Sequence, residues 1–377
     1  VRAYGQPGPA SPLSRRRSGP AAHGVLALVG ALTAAWVLLA QTPDRPRPAR
    51  PLPPSVESVW PDARRASLPG VLPDGGLYQP AYFLDERVSV GTASDPGGGE
   101  ARLVVRAADG VVRVLRRLPV AAAPRYAGFA PAGGQLVWAE SVTGRDGATR
   151  TELWRVQLPG GAPRKVTEDT GRVRFLGSEY DTVIASGRVY WTADAPGDRD
   201  ATEVRSVPIG GGPVEVRTEP GTWTLSTWPW LVSAGSSGRA RLRSLDTARV
   251  VTVDAAGDML DRCAPAWCRV FVPAGGAVRS DLMRPDGSQR RRITDDATTA
   301  PIVDVAVLDR FEVLCGNTGA LAAAVGGRRL LIYDLKTSRL LRAADAAVSV
   351  LYRGGVLWWS TGTGQGTVWH TLDLRTV

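Results

Sequence analysis

Histidine, lysine, methionine and cysteine are nearly missing from this chain of 377 residues, which has two His, two Lys, two Met and three Cys. Each shortage removes a class of chemistry. His23 sits beside an apolar N-terminal run, so His370 is the only imidazole beyond it. A single imidazole cannot build a multi-histidine metal centre. A Ser-His-acid triad would have to use His370, yet the chain has no Gly-x-Ser-x-Gly elbow and no room for a hydrolase domain. His370 is therefore expected to be an ordinary strand residue. A block of like charge is also missing after residue 50. Seven Arg and one acid lie in residues 1–50, so the net +10 of the whole chain falls to 39 bases against 35 acids, or +4, in the rest. Only Arg290-Arg291-Arg292 forms a basic run there, and phosphate binding needs clustered cations. Nucleic acid is not an expected partner.

What is present begins with one long apolar run. Gly24–Ala40 reads GVLALVGALTAAWVLLA, without charge or proline. Seventeen helical residues rise about 26 Å, close to the hydrocarbon core of a bilayer. Arg15, Arg16 and Arg17 precede it and favour a cytoplasmic N-terminus. The expected organisation is a basic cytoplasmic tail (1–23), a transmembrane signal-anchor (24–40), a proline-rich linker (41–54) and one domain (55–377). A cleaved signal peptide is the competing reading, although Leu38-Leu39-Ala40 offers only one small residue to a peptidase. Either route puts the domain outside the cytoplasm, in a single-pass membrane protein or a secreted one. Residues 41–55 hold six prolines and should form an extended spacer.

Past residue 75 no helical period is sustained; short apolar runs alternate with Gly, Pro, Asp and Asn, an all-β pattern. One strand-turn-strand phrase recurs seven times. It starts at Arg102, Glu152, Glu203, Arg241, Ser280 and Arg329, and a final copy, VWHTLDLRTV, is cut short at Val377. Its turns are Asp-Gly, Gly-Gly, Pro-Asp-Gly or Asp-x-x, which suit the φ > 0 positions of hairpins. A Val- and aromatic-rich strand precedes most copies, as in Gln135–Trp138, Arg188–Trp191 and Val356–Trp359. The steps from Val88 to Val356 average about 45 residues, the length of a four-stranded propeller blade. The predicted fold is an all-β seven-bladed propeller, with six or eight blades the alternatives because Phe311–Gly327 is hard to parse. The truncated last blade needs an N-terminal strand to cover its edge, and Ser55–Trp60 (SVESVW) is the expected one.

The strand Val189-Tyr190-Trp191-Thr192 resembles inner strands of TolB-like and YWTD-type propellers. Together with Val59-Trp60-Pro61, Leu72-Pro73-Asp74-Gly75, Trp267-Cys268-Arg269-Val270 and Asp281-Leu282-Met283-Arg284-Pro285-Asp286-Gly287, the chain resembles actinobacterial membrane-anchored TolB-like propeller proteins. That resemblance implies an envelope-associated binding protein. TolB itself adds an N-terminal α/β domain, for which residues 41–75 leave no room, so a Tol–Pal role does not transfer.

Among candidate site residues, Cys263 and Cys268 are five apart in an exported domain, close enough for a local disulfide; Cys315 is the other partner in reach of the argument. Trp223, Trp228 and Trp230 form the densest aromatic cluster. Such rings fill the wedges between blades or offer a stacking surface to a sugar or peptide. Asp194, Asp198 and Asp200 carry calcium-type oxygens without the full loop pattern, and Asp295-Asp296 reads as a turn. Gly362-Thr363-Gly364-Gln365-Gly366 lacks the Lys and helix of a phosphate loop and reads as a hairpin turn. No catalytic, metal or cofactor signature emerges. The expected function is therefore a non-enzymatic binding or scaffold module at the cell envelope, with an envelope protein, peptide or glycan as ligand. The alternative is a propeller enzyme, such as a hydrolase, lactonase or lyase, using a carboxylate and metal site at the channel mouth, with Asp85, Asp181 and Asp304 as its acids.

Overall fold

The computed structural model describes residues 51–377 apart from 199, 234–238, 275–276, 295–296, 318–322 and 324–325. The expected tail, anchor and residues 41–50 of the linker, and the pair Asp295-Asp296, lie outside the described residues. Among the described residues no helix is long and apolar enough to cross a membrane.

Seven antiparallel sheets follow one another along the chain. They span residues 78–119, 125–167, 172–220, 223–254, 259–292 and 298–347, and the seventh joins 350–373 to an N-terminal strand. Hence there are seven blades. The recurring hairpin phrase supplies the third and fourth strands, for example Glu100–Arg106 with Val112–Pro119. Its turn chemistry explains the reversals. Gly110 and Gly287 sit at φ +87° and +81°, where a Cβ would be strained, and the preceding Asp109 and Asp286 accept the N–H of Val111 and Ser288. In blade 6 the turn instead rests on Asp334, which accepts from the Lys336 N–H and the Thr337 hydroxyl.

The ring is closed by Arg65–Pro69, paired with Val368–Asp373 from Arg65 opposite Leu372 to Pro69 opposite Val368. The termini do seal the last blade, but ten residues later than SVESVW. Ser55 is the reason. Its hydroxyl accepts the Ser58 N–H at 3.3 Å and caps one helical turn, α1 (Val56–Val59), with Glu57 in the first turn. That turn is a wedge: Val56 is fully buried, and Trp60 meets Phe311 edge-on at 5.5 Å between centroids.

The core lies between neighbouring blades and is built mainly from second strands. Trp138, Trp191 and Trp358 are each fully buried there. A buried polar tie joins blades 5 and 6. The buried Arg269 donates to Glu312 Oε1 at 2.5 Å, to Asp261 at 3.0 Å and to the Asp304 carbonyl at 2.8 Å. Glu312 is completely buried, so each charge depends on the other.

Candidate functional site

Innermost strands line a propeller's channel, and in blade 3 that strand is broken. Arg172–Val173 and Thr182–Ala185 both pair with Arg188–Asp194, with Val173 opposite Ala193 and Thr182 opposite Trp191. Residues 174–181 therefore have no room in the ladder and leave it as a loop. Asp181 folds that loop by accepting the N–H of Leu176 and of Gly177 at 2.9 and 2.8 Å. Its far side reaches blade 6, where Asp304 accepts the Ser178 hydroxyl at 2.5 Å and the Glu179 N–H at 2.9 Å. Blade 7 holds it as well. Arg353 donates to the Ser178 carbonyl at 2.6 Å, and the Gly354 N–H donates to Glu179 Oε2 at 3.1 Å. In a ring of seven, blades 6 and 7 stand across the channel from blade 3. The loop is thus a bar across the channel. Beside it remains a cavity of about 40 Å³, bordered by Ser178, Tyr180, Asp181 and Asp304; that is room for about one water.

Burial perturbs this acid group. It raises Glu179 to about 7, with the Asp304 charge adding to the rise. Asp304 and Asp181 are also raised by burial, although hydrogen bonds from Ser178 and from main-chain amides oppose it. Burial lifts the Tyr82 phenol to about 12 as well.

Asp181 and Asp304 do come together here, as expected of channel acids, but Asp85 does not. Its carboxylate accepts the N–H of Arg87 and of Val88, forming the turn after the first strand of blade 1. Glu179 was not foreseen. No sequence signal pointed to it, because the eight-residue gap between Val173 and Thr182 is defined only by the strand pairing. The calcium-type cluster is also dispersed: Asp194 is held by Arg174, and Asp198 accepts the Asp200 N–H. Among the described residues no three His, Cys, Asp or Glu side chains gather as a metal site.

His370 lies in blade 7, between the Ser67 and Thr361 hydroxyls at 3.0 and 2.9 Å, and burial lowers its pKa. Cys263 and Cys268 are bonded across a strand pair, and Cys315 is a buried free thiol. The three tryptophans go to two places, Trp223 and Trp228 to one apolar cluster and Trp230 to another. Trp223 is buried, its indole N–H on the Pro220 carbonyl and the Arg241 guanidinium 5.0 Å from its ring. Trp228 lies 4.1 Å from the Tyr190 ring centroid. Trp230 alone borders a cleft, of about 470 Å³, with Arg249 and Arg284. One stacking surface shared by all three is not formed: Leu231, opposite Leu225, faces the Trp223 side of the sheet, and alternation turns Trp230 to the other side.

A second open region lies between blades 1 and 7. A cleft of about 670 Å³ is walled by the turns 95–98 and 362–367 and by the starts of the first strands of blades 1 and 2. Val348 and Ser349 border it just before the first strand of blade 7, whereas Arg353 and Gly354 touch the loop just after that strand's central residues. The Gly362–Gly366 segment, expected as a hairpin turn, is one of its walls. Its rim carries Leu77, Val120 and Val348, exposed by 47%, 52% and 38%.

No family model matches the chain, and no curated protein matches it. Solved structures similar to it include TolB from Acinetobacter baumannii, at 12% identity and TM-score 0.38, covering 68% of this chain and 64% of that one. Another is an acylaminoacyl peptidase of Pyrococcus horikoshii, at 11% identity and TM-score 0.47, covering 76% of this chain and 49% of that one. A third is an oligogalacturonate lyase in complex with manganese, at 12% identity and TM-score 0.39, covering 83% and 84%. The chain spans less than two thirds of the length of that TolB and about half of that peptidase, and at these identities none of the three assigns an activity to it.

Proposed function

We propose that this chain is a non-enzymatic binding module that works outside the cytoplasm at the cell envelope, and that its ligand surface is the cleft between blades 1 and 7. The location rests on the apolar run Gly24–Ala40 behind Arg15–Arg17 and on the disulfide Cys263–Cys268, which belongs to an oxidising compartment. The observation that carries the binding role is the convergence of three exposed apolar side chains, Leu77, Val120 and Val348, on one cleft. Apolar surface left facing water beside a concavity marks an interaction site. The channel, by contrast, is barred by the chain's own loop.

A photo-crosslinking residue placed at position 120 of the full-length, membrane-inserted protein tests this against one at the outer-strand position 250. Crosslinks from 120 that vanish on Leu77→Asp support the reading. Equal yields from both positions, or none from 120, count against it.

A second reading, an enzyme using Glu179 and Asp304, is favoured by one observation. A carboxyl with a pKa of about 7 in a channel has the form of an acid/base group. Turnover in a screen of ester and glycoside substrates that is lost on Glu179→Gln would establish it in place of the first.

A further inference from the structure

Resting on the cleft between blades 1 and 7 as the binding surface, we infer that its ligand is an extended peptide segment in which apolar side chains alternate with lysine or arginine. The first argument is charge. The chain holds 46 bases against 36 acids, yet the charged residues among the described walls of this cleft are two acids, Asp95 and Glu100, with no Lys, Arg or His. Arg117, which is not a wall residue, lies 3.2 Å from Glu100 and 3.9 Å from Asp95. Arg102, held by Asp74 and bonded to the Ser94 carbonyl, also interacts with both carboxylates, so three acids (Asp74, Asp95 and Glu100) stand against two guanidiniums and one excess negative charge remains at the wall of a basic protein. A cationic ligand is steered to such a place and an anionic one is turned away.

The second argument is shape. The three apolar rim residues belong to separate connections: Leu77 precedes blade 1, Val120 links blades 1 and 2, and Val348 precedes blade 7. They therefore surround the cleft rather than forming one hydrophobic spot, and an extended chain that sends alternate side chains to opposite sides meets them in turn. Main-chain groups are accessible beside them. Gly98 and Gly364 line the cleft, and a Cβ placed on either would meet nothing within 4 Å. The Gly98 N–H is used by the Asp95 carbonyl and the Gly364 carbonyl by the Thr367 N–H, which leaves the Gly98 carbonyl and the Gly364 N–H for the kind of main-chain hydrogen bond by which extended peptides are captured.

The test uses three acetylated, fluorescently labelled hexapeptides that alternate valine with lysine, glutamine or glutamate, measured by anisotropy against the full-length protein in detergent. The lysine peptide should bind at least about tenfold more tightly than the glutamate peptide. That ratio should shrink to about threefold or less in Asp95→Asn/Glu100→Gln, because only the carboxylate charge is removed. The Asp95 carboxylate accepts the Gly97 N–H. An asparagine amide in its place keeps an acceptor oxygen for that bond, so the turn survives the change, and circular dichroism confirms it. Binding of all three peptides with equal strength, abolished by Val120→Asp, overturns the cationic preference while leaving the cleft as the binding surface. Failure of all three to bind while position 120 still crosslinks overturns the peptide assignment alone. Failure of both binding and crosslinking overturns the cleft itself.

Discussion

The channel loop and the cleft between blades 1 and 7 are chemically opposite. The loop is polar and its acids are used by the protein itself, although the buried Thr182 hydroxyl at its end has no partner among the described residues. Its acids accept from the N–H groups of Leu176, Gly177, Glu179 and Gly354 and from the Ser178 hydroxyl. Little hydrogen-bonding capacity is left for a ligand. The cleft is the reverse, with apolar side chains in water and open space beside Gly98 and Gly364. A propeller channel lined with carboxylates invites an enzymatic reading, but here carboxylates bind the protein to itself, and the unmet demand for contact lies elsewhere. Several substitutions test that contrast.

The largest effect should come from the support beneath the loop. Glu312→Ala leaves the buried Arg269 without its closest partner, and the Asp304 main chain hangs on the same guanidinium. Removing one member of a buried pair costs about 3–5 kcal/mol, read as a fall in the urea midpoint. A loss below about 1 kcal/mol would mean that the tie is not buried as described. Next is the crossing contact itself. Asp304→Ala strips the acceptor from the Ser178 hydroxyl and the Glu179 N–H, for a loss of about 1–3 kcal/mol. Amide exchange at Glu179 should accelerate while exchange at Trp138 and Trp358 is unchanged; a uniform acceleration would show that the loop is not a separate unit.

The contrast also governs how much was legible in advance. The six complete hairpins were readable because their information is local: alternation in each strand and residues such as Asp109-Gly110 or Pro285-Asp286-Gly287 in the turns. Ring closure was readable as a need but not as a place: SVESVW sits where a closing strand is expected, yet Val56, Val59 and Trp60 stand at the i, i+3, i+4 spacing of a helical turn, which Ser55 caps. Asp181 and Asp304 were visible as acids near blade starts, whereas Asp85 looked equivalent and is a turn residue. Glu179 was invisible because the loop is held by residues 125 and 175 positions away. The cleft was invisible for the same reason: Leu77, Val120 and Val348 carry no motif and meet only when the ring closes.

A smaller effect is expected from pH. Glu179 titrates near 7 in the folded protein against 4.5 when unperturbed. Between those values the folded state binds more protons than the unfolded one, so stability falls as pH rises through that window and levels off above about 7. Asp304 and Asp181, also raised by burial, act in the same direction. Thermal midpoints at pH 4.5, 6 and 8 should therefore decline, and Glu179→Gln should flatten the decline without abolishing it. His370, whose pKa burial lowers, acts the other way below its ordinary 6.5, so the decline is read in a His370→Gln background, where a midpoint that climbs from pH 6 to 8 would contradict the buried acid group.

The smallest effect on stability, and the sharpest on binding, is expected at the cleft rim. Val120 is 52% exposed, so Val120→Asp gives up little buried area, and its change in stability should stay within about 0.5 kcal/mol. The same substitution places a charge where the ligand's apolar side chains dock, and no described wall residue is basic enough to neutralise it. Desolvating that carboxylate on binding should weaken the complex by about tenfold or more. Asp304→Ala should do the opposite, lowering the urea midpoint while leaving ligand affinity unchanged. If both substitutions weakened binding equally, loop and cleft would be one coupled site, and the division between a channel closed for stability and a cleft open for recognition would have to be abandoned.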